Sequence, residues 1–334
     1  MTKYSEKEDD CQAKDKPGKR RIRLSPFWIG VGALAAGAAW AAGTTAYTWA
    51  AMHPPRFPVF RPPGNELPLE DIEFQTPDDV CISGWFVQQP EALGTIILCH
   101  GHPMNRVEML VWARLVYAAG FNALLFDFRA MGRSGGDLCT IGHYEIGDLV
   151  GAVDFLAAHP TAGRLPVGVF GISMGGAVCL MAAAIDSRIG AVATHGAYAT
   201  LDRAITQRGR MMLGPAGPVF SLPALYLGKL WFGIDSFAVS PLDVVSRISP
   251  RPVMITHGEL DITVNPKDAK SLYAAALEPK ELYIMPRSFH IYMHTEERAV
   301  YNKRMTDFFT THLSVQTMPA IEPSADKAEA LPGT

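Results

Sequence analysis

Three hydrophobic patterns run along this chain, and each predicts a different kind of element. The first is an unbroken stretch. From Phe27 to Met52 no residue is charged, and these 26 residues would extend ~39 Å as a helix, enough to cross a ~30 Å hydrocarbon layer. Trp28 and Trp49 lie about 32 Å apart on such a helix, which suits two aromatic belts. The second pattern is a series of short apolar runs without period-2 alternation, as in strands buried on both faces. It predicts strands at Asp79–Val87, Thr95–His100, Asn122–Phe128, Val167–Phe170, Ala191–His195, Val253–His257 and Leu282–Met285. The third is helical: Ile146, Leu149, Val150 and Val153 fall at i, i+3, i+4 and i+7. Another helix should begin at Asn105, with Glu108 completing a capping box, and end at Gly120. Strands alternating with helices signal a mostly parallel sheet covered on both faces, an α/β fold.

Composition and charge refine this picture. The chain has 334 residues, 48% hydrophobic and 19% charged, which excludes a disordered or fibrous protein. Its net charge of −3 argues against a nucleic-acid partner. Five cysteines, none in a C-x-x-C pair, give neither a disulfide framework nor a zinc ribbon. Cys99 and Cys179 lie on apolar elements and read as core thiols. No signal for a metal or other cofactor is found, nor any for oligomeric state.

Basic residues cluster at Lys14, Lys16, Lys19, Arg20, Arg21 and Arg23, before the apolar segment, while only Arg56 and Arg61 follow it closely. This bias puts the N-terminus in the cytoplasm and the rest of the chain outside. A cleaved signal peptide is the rival reading, but the apolar run is longer than a usual signal core, which favours an uncleaved anchor. The expected organisation is a charged cytoplasmic tail over residues 1–25, a transmembrane anchor over 26–52, a stiff proline-rich linker over 53–68, a catalytic domain over 69–315 and a disordered tail over 316–334.

The chemistry begins at Gly171-Ile172-Ser173-Met174-Gly175, which fits the G-x-S-x-G nucleophile elbow. Gly132-Arg133-Ser134-Gly135-Gly136 fits it too. Ser173 follows an apolar strand directly and precedes the apolar helix pattern Gly176–Ala184, the strand–turn–helix context an elbow needs. Ser134 is separated from its strand and followed by Gly-Gly-Asp, so it reads as a structural loop residue. A serine needs a base, and the base needs a carboxylate to orient it. After Ser173 come Asp261, beyond the next-to-last strand, and His290, beyond the last. The order Ser, Asp, His is that of the α/β-hydrolases. Asp202 and Glu259 are rival acids, and His294 is read as a pocket-edge or surface residue.

On these residues the segment from about Asp79 to Leu313 resembles the α/β-hydrolase superfamily. It is similar in particular to the branch of membrane-anchored hydrolase-domain proteins, lysophospholipase-like enzymes and serine-aminopeptidase-like enzymes. The matching blocks are Cys99-His100-Gly101-His102, Asp127 to Ser134, the elbow, and His257 to Asp261. Ala130 stands where the second block usually has Gly. The resemblance implies Ser173 as nucleophile, Asp261 as orienting acid and His290 as general base. The backbone N–H groups of Met174 and His102 would form the oxyanion hole, with His100 forming the loop. The His102 imidazole could instead point into the pocket. A cap is expected at about 197–248, where the apolar stretch from Met211 to Phe232 offers an acyl pocket. The expected activity is serine-dependent cleavage of small-molecule or lipid-like carboxylic esters at a membrane. A peptidase or amidase would use the same triad, and a non-catalytic scaffold would be expected to have lost part of it.

Overall fold

The computed structural model describes residues 25–64 and 66–313. The apolar segment forms one helix, α1 (Pro26–Met52), long and apolar enough to cross a membrane. The described residues divide by packing partway along α1: those up to Ala41 form one unit and those from Ala42 onward another. Within the second unit, Thr44, Thr48 and Met52 of α1 are buried, and the Met52 carbonyl accepts the Cys139 N–H at 2.9 Å.

The sheet of this second unit contains β1 (Leu69–Gln75), β2 (Cys81–Val87), β3 (Thr95–Cys99), β4 (Asn122–Phe126), β5 (Val167–Ile172), β6 (Ile189–His195), β7 (Val253–Gly258) and β8 (Lys280–Met285). Their spatial order is β1-β2-β4-β3-β5-β6-β7-β8. β2 runs antiparallel to β1 and β4, and every later pairing is parallel. This is the α/β-hydrolase architecture. Successive residues of β3 point to opposite faces: Ile97 and Cys99 enter one core, Ile96 and Leu98 the other. The first core is closed by α3 (Glu145–Ala158), α4 (Met174–Ile185) and α8 (Pro266–Ala275). The second is closed by α2 (Leu110–Ala118) and α9 (Thr295–His312). Cys99 and Cys179 are both buried in the first core.

β1 escapes a search for apolar runs. Its sequence Leu-Glu-Asp-Ile-Glu-Phe-Gln buries only Leu69, Ile72 and Phe74, as an edge strand wet on one face does. The strand expected from Asp79 begins two residues later. Asp79 has φ 61° and donates its N–H to the Thr76 carbonyl, so it belongs to the β1–β2 turn. The proline-rich stretch after α1 is not a free spacer. Arg56 donates to the carbonyls of Ser134 at 2.5 Å and Gly136 at 2.6 Å, and Asn105 and Arg133 donate to carbonyls of Phe57 and Val59. Its backbone carbonyls, unpaired in an extended chain, find donors on the domain. Between β6 and β7 the crossover holds α5 (Leu201–Leu213), α6 (Gly217–Phe232) and α7 (Pro241–Val244). The tails at 1–24 and 314–334 lie outside the described residues.

Candidate active site

β5 runs straight into Ser173, and α4 begins at Met174. Ser173 has φ 53° and ψ −116°, a backbone state that costs a side-chain-bearing residue about 1–3 kcal/mol and concentrates at functional sites. The glycines permit the turn: a Cβ on Gly171 would lie 2.3 Å from the Gly175 backbone, and one on Gly175 2.3 Å from the Cys99 carbonyl oxygen. Ser173 N–H donates to the His195 carbonyl at 2.8 Å, fastening the elbow to the end of β6.

Asp261 and His290 are brought together at the same edge. His290 Nδ1 lies 2.6 Å from Asp261 Oδ2. Asp261 Oδ1 accepts the backbone N–H groups of Thr263 at 2.8 Å and Val264 at 3.0 Å. His257 Nε2 reaches Oδ2 as well, at 2.9 Å. Burial pushes the Asp261 carboxyl up, but hydrogen bonds from His257 and His290 outweigh it and hold it well below the usual carboxylate range. His257 is the partner that chain order did not reveal. Its signal was present in the block His257-Gly258-Glu259-Leu260-Asp261, where an i, i+4 turn returns the carboxylate to the strand end.

His290 also sits against β6. Its carbonyl oxygen is 2.8 Å from His195 Nε2. Its ring covers Gly196, which has φ 62°, and a Cβ there would be 3.1 Å from Cε1. Ser173 and His290 therefore flank the His195–Gly196 step. Burial, helped by the charges of His257 and His290, depresses the His195 pKa to about 3, so this ring is neutral. An imidazole gripped through Nδ1 by a carboxylate is fixed in orientation.

The loop after β3 is anchored by two side chains. His100 Nε2 accepts the Phe128 N–H at 3.0 Å, which leaves Nδ1 to donate to the Gly101 carbonyl at 2.9 Å. Glu108 was expected to complete a capping box with Asn105. Asn105 does cap, accepting from Val107 N–H at 3.0 Å, but the first turn is a 3-10 turn (Arg106–Met109). The Glu108 carboxylate instead accepts the Gly101 N–H at 2.8 Å, across the loop that follows β3. The His102 imidazole stands on the wall of a cavity of about 250 Å³. Its Nε2 is buried without a hydrogen-bond partner. Burial and the Arg208 charge lower its pKa to about 3 despite the Ala51 carbonyl beside it.

That cavity reaches Ser173 and Met174 and is otherwise lined mostly by apolar groups. Ile205 and Met212 of α5 form one side, and Ala50 and Ala51 of α1, with Pro54 and Pro55 after it, form another. Sequence reasoning did not anticipate that α1 would wall the site.

The rival residues lie elsewhere or have other partners. Ser134 is buried, its Oγ donating to the Asp127 carbonyl at 2.5 Å and accepting Ser83 N–H at 3.0 Å. Asp202 takes the Thr200 hydroxyl at the start of α5. Glu259 is exposed. His294 precedes α9, and its N–H donates to Ser288 Oγ at 3.2 Å.

Comparison with known proteins agrees with the fold. Residues 94–214 match the family description of the α/β-hydrolase fold. The chain is 32% identical over 230 residues to the uncharacterized protein YqkD of Bacillus subtilis, covering 68% of this chain and 74% of that one. It is 24% identical to the polyketide transferase grgF of a Penicillium species, covering 75% of this chain and 99% of the relative. Among solved structures, the Pyrococcus furiosus esterase Pf2001 superposes with a TM-score of 0.67 at 22% identity, over 79% of this chain and 99% of the esterase. The chain belongs to the α/β-hydrolase superfamily.

Proposed function

We propose that the protein is a serine hydrolase that cleaves carboxylic esters through an acyl-enzyme. The observation that carries this reading is the 2.6 Å pairing of His290 with Asp261 across the β6 end from a serine held at φ 53°. Ser173 Oγ attacks the carbonyl carbon as His290 takes its proton, giving a tetrahedral oxyanion. Asp261 stabilises the imidazolium. Collapse expels the alcohol, which receives the proton from His290. Water, activated by the same base, then releases the acid. The N–H groups of Met174 and His102 hold the oxyanion, a term worth several kcal/mol of barrier.

The apolar cavity favours an acyl chain as the occupant, and the esterase among the structural neighbours is consistent with that chemistry. α5 and α6 act as a cap. Val219, Leu222, Tyr226 and Leu230 form an exposed apolar stripe on α6, which suits a lipid–water boundary. α1 serves as an uncleaved anchor, with the N-terminus inside and the catalytic domain outside.

Fluorophosphonate labelling of the full chain tests the nucleophile without a known substrate. Labelling should vanish in Ser173→Ala and persist in Ser134→Ala; the reverse pattern would refute the assignment. A panel of p-nitrophenyl esters and aminoacyl-anilides then separates esterase from amidase activity. For topology, protease added outside intact cells should digest the catalytic domain. A domain reached only after permeabilisation would reverse the orientation.

A further inference from the structure

The face of α5 turned to the cavity comprises Leu201, Ala204, Ile205, Arg208 and Met212, spaced i, i+3, i+4, i+7 and i+11. Four of these five are apolar, as an inward helix face should be. Arg208 breaks the pattern. The other arginines nearby, Arg203 and Arg210, are exposed, and Arg203 lies 3.8 Å from Asp268. Arg208 is partly buried, and among the described residues none forms an ion pair or hydrogen bond with it. Among the described residues no Asp or Glu lines the cavity. A guanidinium facing an apolar, partly desolvated space without a carboxylate is a local rule broken without compensation inside the protein, and such departures concentrate at functional sites.

Two further polar atoms at this cavity also lack partners. Tyr47 Oη and His102 Nε2 are buried with no hydrogen-bond partner among the described residues, and both residues line the same space as Arg208 and Ser173. His102 is neutral, so it adds no second positive charge but leaves a ring nitrogen to share. Buried polar groups are ordinarily satisfied, and orphans gathered around one cation indicate where a ligand's polar end belongs.

We propose that Arg208 and the Tyr47 hydroxyl form a subsite for an anionic oxygen group, a carboxylate or a phosphate, carried on the apolar chain of the ester substrate. A guanidinium meets two oxygens of such a group at once, and the hydroxyl donates to another lone pair. Resting on the esterase reading above, this names the substrate class as anionic amphiphilic esters.

Full-length Ser173→Ala protein in neutral detergent, titrated by calorimetry with hexanoate, hexyl phosphate and 1-hexanol, tests the subsite without turnover. Both anions should bind at least about tenfold more tightly than the alcohol, equivalent to about 1.4 kcal/mol. Arg208→Met in the same background should erase that difference while hexanol still binds, which also shows that the cavity is intact. Arg208→Lys should restore part of the difference, and Tyr47→Phe should weaken the anions a few fold. Tighter binding of hexyl phosphate points to a phosphate headgroup as the natural anion, and tighter binding of hexanoate to a carboxylate; either supports the subsite. Equal affinities for alcohol and anions, or an anion preference that survives Arg208→Met, overturns it. Fluorophosphonate labelling of the wild type reports on Ser173 alone, so the two readings fail separately.

Discussion

Two segments of this molecule share the pattern G-x-S-x-G, and they use it in opposite ways. At 171–175 the serine itself occupies the strained φ of 53°, at the junction of β5 and α4, beside an apolar cavity. At 132–136 the positive φ values fall on Gly132 and Gly136, and Ser134 is buried with its hydroxyl engaged by the backbone of Asp127 and Ser83. A Cβ on Gly132 would lie 2.1 Å from an Asp127 carboxylate oxygen. That carboxylate is closed in by Arg106 and by the Arg133 N–H. One loop directs a hydroxyl into open space, and the other uses a hydroxyl to tie β2 to the loop that follows β4. What separates them is where the positive φ falls: on the serine, which bears strain there, or on glycines, which adopt it freely.

The largest effect that could break this contrast lies in the acid beside the first loop. Asp261→Asn should lower kcat by orders of magnitude with a much smaller change in KM, because the imidazolium loses its partner only as charge develops. Asp202→Asn should stay within about tenfold. If steady-state kinetics on a folded protein give the opposite ranking, the acid is misassigned.

Acid should act next, and on the elbow side. His102 and His195 are held neutral with pKa values near 3, whereas an unfolded histidine takes its proton near ~6.5. Below that pH the unfolded chain binds more protons, so stability is complete above ~6.5 and falls as pH drops toward 3. Each histidine contributes up to about 1.4 kcal/mol per pH unit in that window. Denaturant melts at pH 7 and 5 check it, and His195→Gln should flatten the slope.

Ser134→Ala should cost about 1–3 kcal/mol by stranding a buried N–H and carbonyl, read as a lower Tm with labelling intact. The smallest effect belongs to Ala130. Its φ of 60° lies in the left-handed region, which glycine adopts freely. An alanine there bears a left-handed backbone, so Ala130→Gly should gain of the order of 1 kcal/mol. A loss on thermal melting would mean that the cost to the unfolded chain outweighs the strain relieved.

The features legible in the sequence were those written locally. The elbow is five adjacent residues with a strand before and a helix after, and Asp261 and His290 each follow a strand in a fixed chain order. The unbroken apolar runs disclosed the central parallel strands β3 to β7 because these are buried on both faces. β1 was hidden because an edge strand needs apolar residues on one side only. Glu108 differs from its expected role for a related reason: its spacing from Asn105 fits a cap, yet its carboxylate meets the Gly101 N–H brought close by tertiary packing. Tyr47 and Arg208 are 161 residues apart and share a cavity only once α1 and α5 are in place. No local pattern announces such a meeting.

The wall that α1 contributes has a consequence for how the protein is processed. Tyr47, Ala50, Ala51, Pro54 and Pro55 belong to the stretch that a leader peptidase acting at the small residues near the end of α1 would cut or leave frayed. A clipped molecule would keep Ser173, Asp261 and His290 yet lose part of one side of its substrate chamber. Maturation by cleavage would thus yield not the same molecule set free, but one whose chamber has a wider entrance.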